Sequence, residues 1–308
     1  MINFRFHLVS LTAVFLALAA GITIGAGVVD RATVDFLERR VADVERNRDA
    51  TNKKNDELGT DLRRWEKYGE EMGDRSVEGD LAGARVMLVA VDGVDRGAVD
   101  GLRASVQDAG AGYEGAMWFT QKWALTDPAD VRTLSAFGPQ EPGGKPEELR
   151  RAVLARLGSE WAAGRGSALV LALRDAGFVS YDPGPDQAPA LEDVPRDGSL
   201  MVVVSSHDAT VPSDQLGLPL VSALADANLP VLAAQPVPPA EPKQPVPVFT
   251  TLVRQDAALS ARTSSVDDVD DYRGRTAAVL ALEDMRRGRR GHYGFGPRAQ
   301  SIVPGAGP

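Results

Sequence analysis

The chain has 308 residues, 44% hydrophobic and 25% charged, the composition of a folded protein with room for one large domain and appendages. A net charge of −9 leaves no basic surplus to neutralise phosphates, which argues against nucleic acid as a partner. The absence of cysteine excludes disulfides, thiolate metal sites and cysteine nucleophiles together.

Residues 1–7 read as a short N-terminal tail. From Leu8 to Val29 there is no charged residue, with Arg5 and Asp30 as the nearest charges outside the run. As a helix at about 1.5 Å per residue, residues 8–29 span roughly 33 Å, enough to cross a hydrocarbon core of about 30 Å. A cleaved signal peptide has a shorter apolar core, roughly 7 to 15 residues. Ala17-Leu18-Ala19 offers a small-x-small cleavage site, but the segment that follows argues for a retained signal anchor.

That segment, residues 30–75, reads as a coiled-coil stem. With Val34 as heptad position a, the a positions are Val34, Val41, Arg48, Asn55, Leu62 and Gly69. The d positions are Leu37, Val44, Thr51, Leu58, Trp65 and Met72. The ends of this seam are apolar and its middle polar, and Asn55 is the kind of central a residue that fixes register. The competing reading is a surface helix with a chance 3.5-residue period. The seam predicts a homo-oligomer. Ala17, Gly21 and Gly25 form a small-residue row that points nearly opposite the Val34/Leu37 seam, so the two faces do not meet one partner. Arg31, Arg39 and Arg40 outnumber Arg5 across the apolar segment, yet long domains translocate largely regardless of such charges, so orientation stays open.

After a Gly/Asp-rich break at residues 73–83, the stretch 81–297 reads as one α/β domain. "RVMLVAVD" (85–92) is a buried strand, residues 95–109 a helix with Val99, Leu102 and Val106 inward, and "AGYEGAMWFT" another strand. This β-α-β unit predicts a right-handed crossover and a parallel sheet. The alternation continues with a helix at 145–164, a strand or buried helix turn at 168–173, a strand at 199–206, a helix at 213–228 and a strand at 230–235. The fold class expected is therefore α/β: an N-terminal transmembrane helix and coiled coil, then a three-layer, mainly parallel-sheet domain. The proline-rich stretches 181–198 and 235–248 read as surface loops. Residues 298–308 read as a flexible tail.

No dinucleotide fingerprint, Walker A motif or nucleophile elbow occurs, so no enzyme and no cofactor are expected. "SSHD" (205–208) places serine, histidine and aspartate side by side, where they cannot converge as a triad. Its place just after a strand nevertheless makes His207 and Asp208 candidate metal ligands, because α/β sheets bind ligands at strand ends. His292, in a Gly-rich tail, is a third candidate. Met72, Met87, Met117, Met201 and Met285 are scattered along the sequence, so no thioether site is expected from them.

The end of the chain, "SVDDVDDYRGRTAAVLALEDMRRGRRGHYGFGP" (265–297), predicts a helix over 276–287 with Val279, Leu280 and Leu282 inward. Asp267, Asp268, Asp270 and Asp271 precede it and Arg286 and Arg287 close it, which suits the helix dipole. Four aspartates also suggest calcium, but without EF-hand spacing. Together with "HLVSLTAVFLALAAGITIGAG" at the start, this ending resembles the actinobacterial MctB family of copper transport proteins. Family members look alike in order: N-tail, apolar segment, coiled coil, α/β domain and a "VDD…G…VLAL…GHYG" tail. The resemblance implies copper transport or homeostasis, membrane anchoring in the cell envelope and an extracytoplasmic domain, with a copper ion as ligand or cargo. The alternative is a non-enzymatic envelope scaffold, in which the stem presents the domain to a cell-division or cell-wall partner.

Overall fold

The computed structural model describes residues 4–138, 145–164, 168–185, 189–237 and 248–305, excluding the side chains of residues 26–32 and 74. Most of the second proline-rich loop (238–247) and part of the first (186–188) lie outside the described residues. The chain divides into two compact units, Met1–Trp65 and Glu66–Pro308.

The first unit belongs to a single helix, α1 (Phe4–Ser76), of 73 residues. Within it, among the described residues, Phe4–Gly25 is long and apolar enough to cross a membrane, and it contains most of the 8–29 run. Two hydroxyls in this stretch need no outside partner: Thr12 donates to the Leu8 carbonyl and Thr23 to the Ala19 carbonyl, each at 2.7 Å. In hydrocarbon an unpaired hydroxyl would be costly, and back-bonding to the preceding turn removes that cost.

The second unit is α/β. In chain order it holds β1 (Arg85–Val91), α2 (Arg96–Asp108), β2 (Gly112–Phe119), α3 (Pro128–Ser135), α4 (Pro146–Ala162), α5 (Ala168–Asp175) and β3 (Val179–Asp182). Then follow β4 (Leu200–Val204), α6 (Gly217–Asp226), β5 (Val231–Ala234), α7 (Phe249–Gln255), α8 (Ala257–Ser260), β6 (Ser264–Val266), α9 (Tyr272–Arg286) and β7 (His292–Tyr293). The sheet order is β3-β2-β1-β4-β5-β6-β7. Every neighbouring pair is parallel except β2/β3. The mainly parallel sheet matches the alternation read from the sequence. "ALVLAL" resolves as helix α5, and β3 turns the start of the first proline-rich stretch into an antiparallel edge strand.

Period-2 alternation in β1 divides the core. Met87, Val89 and Val91 face a cluster with Leu154 of α4, Leu173 of α5, Leu220 of α6 and Val253 of α7. Val86, Leu88 and Ala90 face the other cluster, with Leu102 of α2 and Leu282 of α9. The sheet is thus sandwiched between helices. On α9, Val279 and Leu282 are buried as expected, while Leu280 is only half-buried.

The clusters expose an irregularity at the C-terminal edge. The crossovers β4-α6-β5 and β5-α7-β6 step away from β1 with their helices on one face. β1-α2-β2 steps the other way with α2 on the opposite face, so all three share one hand. β6-α9-β7 steps in the same direction as β4-α6-β5 but lies on the α2 face. Its hand is therefore reversed, whereas roughly 98% of such connections are right-handed.

What holds β7 in place is a buried ion pair. Arg254 Nη1 lies 2.8 Å from Asp267 Oδ2, with both side chains almost fully enclosed. Arg254 also donates to Ser265 Oγ (2.8 Å), the Tyr293 carbonyl (2.7 Å) and the Pro297 carbonyl (3.2 Å). Asp267 accepts from the backbone N–H groups of Phe295 (2.6 Å) and Gly296 (3.1 Å). A Cβ on Gly294, whose φ is +119°, would collide with the Asp267 carboxylate. Residues beyond 297 continue this edge: Gln300 N–H donates to the His292 carbonyl (2.7 Å), and Ser301 forms a bridge with Tyr293. The segment read as a tail is thus bonded to β7 as far as Ser301.

Removing one partner strands a buried charge, so Asp267→Ala should cost about 3–5 kcal/mol in chemical denaturation. Hydrogen exchange should place the lost protection at residues 291–301. A loss below about 1 kcal/mol, the worth of an exposed pair, would contradict this account of the edge.

Candidate functional site

The strand order reverses direction between β1 and β4, and in open α/β sheets the crevice at the carboxyl ends of such strands is the usual ligand site. Here β1 runs into Asp92 and Gly93, and β4 into Ser205, Ser206, His207 and Asp208. The structure therefore brings the predicted His207 and Asp208 to this position.

The crevice is filled by the chain's own backbone. Thr210 N–H donates to the Asp92 carbonyl at 2.6 Å. Gly93 has φ +93°, and a Cβ there would collide with the Asp208 carbonyl and lie 2.8 Å from the Thr210 nitrogen. Residues 208–210 thus occupy the space where a pyrophosphate would approach a glycine-lined turn. Burial pushes the Asp92 carboxyl pKa up, with Arg96 opposing the shift.

The polar side chains of "SSHD" are engaged separately. Ser205 Oγ pairs with Ser213 Oγ at 2.8 Å, and Ser206 Oγ accepts from Asp208 N–H at 3.2 Å. Neither serine bonds to His207, so no nucleophile–base pair forms. His207 Nδ1 stands 3.5 Å from Asp208 Oδ1 and makes no hydrogen bond. The imidazole is partly exposed and the Asp208 carboxylate largely so. The pair thus sets a surface carboxylate beside an imidazole whose Nδ1 is enclosed and engaged by no hydrogen bond.

His292 sits in a different setting. It lies on β7, buried, with Nδ1 2.9 Å from Ser265 Oγ and Nε2 2.6 Å from Ser260 Oγ. Burial, and after it the Arg254 charge, lower its pKa and favour the neutral ring. Both nitrogens already hold α8 and β6 to β7, so the Gly-rich tail is pinned to the sheet edge.

Three of the four aspartates before α9 have separate tasks. Asp267 pairs with Arg254. Asp270 accepts from Val237 N–H at 2.7 Å. Asp271 caps α9, accepting from Arg273 N–H at 2.8 Å, as the dipole argument requires. Among the described residues, no group of three or more His, Cys, Asp or Glu side chains is placed to hold a metal ion.

The methionines are less scattered than the sequence suggests. Met87 and Met201 are register partners on β1 and β4. Met117 on β2 pairs with Val89, two residues along from Met87 and on the same face. All three are fully buried in one cluster, while Met285 belongs to the other cluster and Met72 is exposed on α1. Sequence spacing could not reveal this grouping, because strand register creates it.

An N-terminal apolar helix leading into a mainly parallel α/β unit defines a candidate membrane-anchored protein whose strand-end crevice is closed. A family model described as "Copper transport outer membrane protein, MctB" matches residues 1–304, and the chain belongs to this family. The chain is similar to proteins named Copper transporter MctB from Mycobacterium tuberculosis (strain ATCC 25618 / H37Rv) and Mycobacterium bovis (strain ATCC BAA-935 / AF2122/97). Each is 26% identical over 323 aligned residues, covering 98% of this chain and 99% of the relative. A protein of the same name from Mycobacterium leprae (strain TN) is 25% identical over 331 residues, with the same coverage.

Asp268, the remaining aspartate before α9, has φ +60°. Burial first, then the Asp267 and Asp270 carboxylates, raise its pKa to about 6. A carboxyl whose folded pKa is raised loses stability as pH climbs through that value. Asp268→Asn tolerates the same backbone and should raise the thermal midpoint at about pH 7.5 while leaving it unchanged below about pH 4. An equal shift at both pH values would contradict the assignment.

Proposed function

We propose that this chain takes part in copper transport or copper homeostasis as a single-pass membrane protein, with its α/β unit outside the cytoplasm. The observation that carries the reading is the family match over residues 1–304, reinforced by relatives named as copper transporters across the full length. The apolar Phe4–Gly25 segment supports the membrane placement. Membership of a copper transport family favours this reading over a copper-independent envelope scaffold.

The reading includes assembly of several copies through a coiled coil. One apolar helix encloses no path by itself, so transport by this chain calls for an oligomer or a partner. The heptad residues support this: Val34, Leu37, Val41, Val44, Leu58 and Leu62 are each half or more exposed on α1. Such a row on a helix is what a second helix covers.

For metal contact, the geometry supports His207 with Asp208 ahead of His292. Imidazole nitrogen and carboxylate oxygen are copper ligands of intermediate and hard character, and His207 Nδ1, although enclosed, is engaged by no hydrogen bond, so the partly exposed ring can turn to a metal without breaking one. His292 serves the β7 edge, and drawing it to a metal would break two hydrogen bonds.

Titration of the purified full chain in detergent, in competition with a chromogenic copper chelator, tests the assignment. His207→Ala should weaken copper binding by about tenfold or more, the usual scale for disturbing a metal shell. His292→Ala should keep the affinity and lower the thermal midpoint. Unchanged affinity in His207→Ala together with lost affinity in His292→Ala would reverse the assignment.

A further inference from the structure

We propose that the α1 seam receives a second, parallel copy of this chain from Val34 to Trp65 and ends there, because each chain's own Tyr272 occupies the same helical face at Gly69. The inference rests on the coiled-coil assembly proposed above and adds its partner geometry and its limit.

Gly69 follows Leu62 by seven residues, and two helical turns of about 3.6 residues bring it back within roughly 20° of the same direction. A helix lying along Leu62 would therefore meet Gly69 next. That position is taken. The ring of Tyr272, at the start of α9, fills the place a Cβ on Gly69 would need. One turn on, the Cβ position of Gly73 is 2.6 Å from Thr276 Oγ1. Between these two glycines Glu70 pairs with Arg275 at 3.1 Å. Tyr272, Arg275 and Thr276 thus form one stripe of α9 laid into a notch that only glycine leaves open. Copies joined along the seam must part after Trp65.

The seam before the notch has the chemistry of a two-stranded parallel pair. Both N-terminal apolar segments must enter the same membrane, which sets the strands parallel. Val34 and Val41 at a, with Leu37 and Leu58 at d, favour two strands, and a pair of Asn55 side chains fixes register. In that alignment Arg40 at g of one copy faces Glu45 at e of the other, twice by symmetry. Both residues are exposed on α1, where the Arg40 guanidinium lies over the Phe36 ring at 5.4 Å.

The chain has no cysteine, so single cysteines report helix contacts directly. Full-length Leu62→Cys and Met72→Cys variants in membranes would be oxidised and resolved by size. Leu62→Cys should form a disulfide-linked dimer, and Met72→Cys at least tenfold less of it. Adding Tyr272→Ala to Met72→Cys should raise its dimer yield several-fold by clearing the notch. Equal yields at 62 and 72 in the otherwise unaltered chain would overturn the stop while leaving the pairing intact. No dimer from Leu62→Cys and none from Val41→Cys would overturn the pairing itself, and the stop with it.

Discussion

The buried pair between Arg254 and Asp267 is the constraint on which the C-terminal half of the sheet depends. Neither charge is tolerable alone in the interior, and together they engage the carbonyls and N–H groups of residues 293–297 as well as Ser265. A two-residue strand contributes too few ladder bonds to fix itself. The pair supplies the missing bonds and lets α9 cross on the less common side, where it packs beside α2 and beneath the last turns of α1. The position of α9 in turn sets Tyr272 against Gly69. One electrostatic contact at the sheet edge therefore bears on a glycine contact at the start of the second unit.

The same economy explains why the fold's usual ligand site is closed. Gly93 admits the backbone of residues 208–210 instead of a phosphate, the Ser205 and Ser213 hydroxyls pair with each other, and Ser206 Oγ accepts from Asp208 N–H. What remains outward is His207 with Asp208. A sheet that has given up its crevice fits a protein that works through its surface, its anchor and its neighbours. The thioethers of Met87, Met117 and Met201 lie together but fully enclosed, and they pack as apolar side chains against the helices of that face.

Much of this architecture is legible in the sequence. The uncharged run after Leu8, the branched strand "RVMLVAVD" and the amphipathic pattern of 145–164 are long, periodic signals, and each became the element it predicted. The resemblance carried by both ends of the chain found the family. The misses share a cause. β6 has three residues and β7 two, too short for any period, and their existence depends on Arg254 and Asp267, which approach only in three dimensions. "ALVLAL" is apolar on all sides, so period could not separate strand from helix, and burial against the sheet decided it. In the sequence His292 is a candidate ligand because of its Gly-rich surroundings, and Gly294 and Gly296 of that stretch make room for the Asp267 carboxylate. The clustering of three methionines is a product of strand register, invisible along a line.

The central claim is that the anchored chain controls copper. The most direct test is cell-associated copper under copper challenge in a strain lacking the protein, compared with the same strain carrying the full chain or a secreted form lacking residues 1–65. The account predicts copper accumulation that the full chain corrects and the unanchored form does not. Normal copper in the strain lacking the protein, with cell shape or septation disturbed instead, would contradict it.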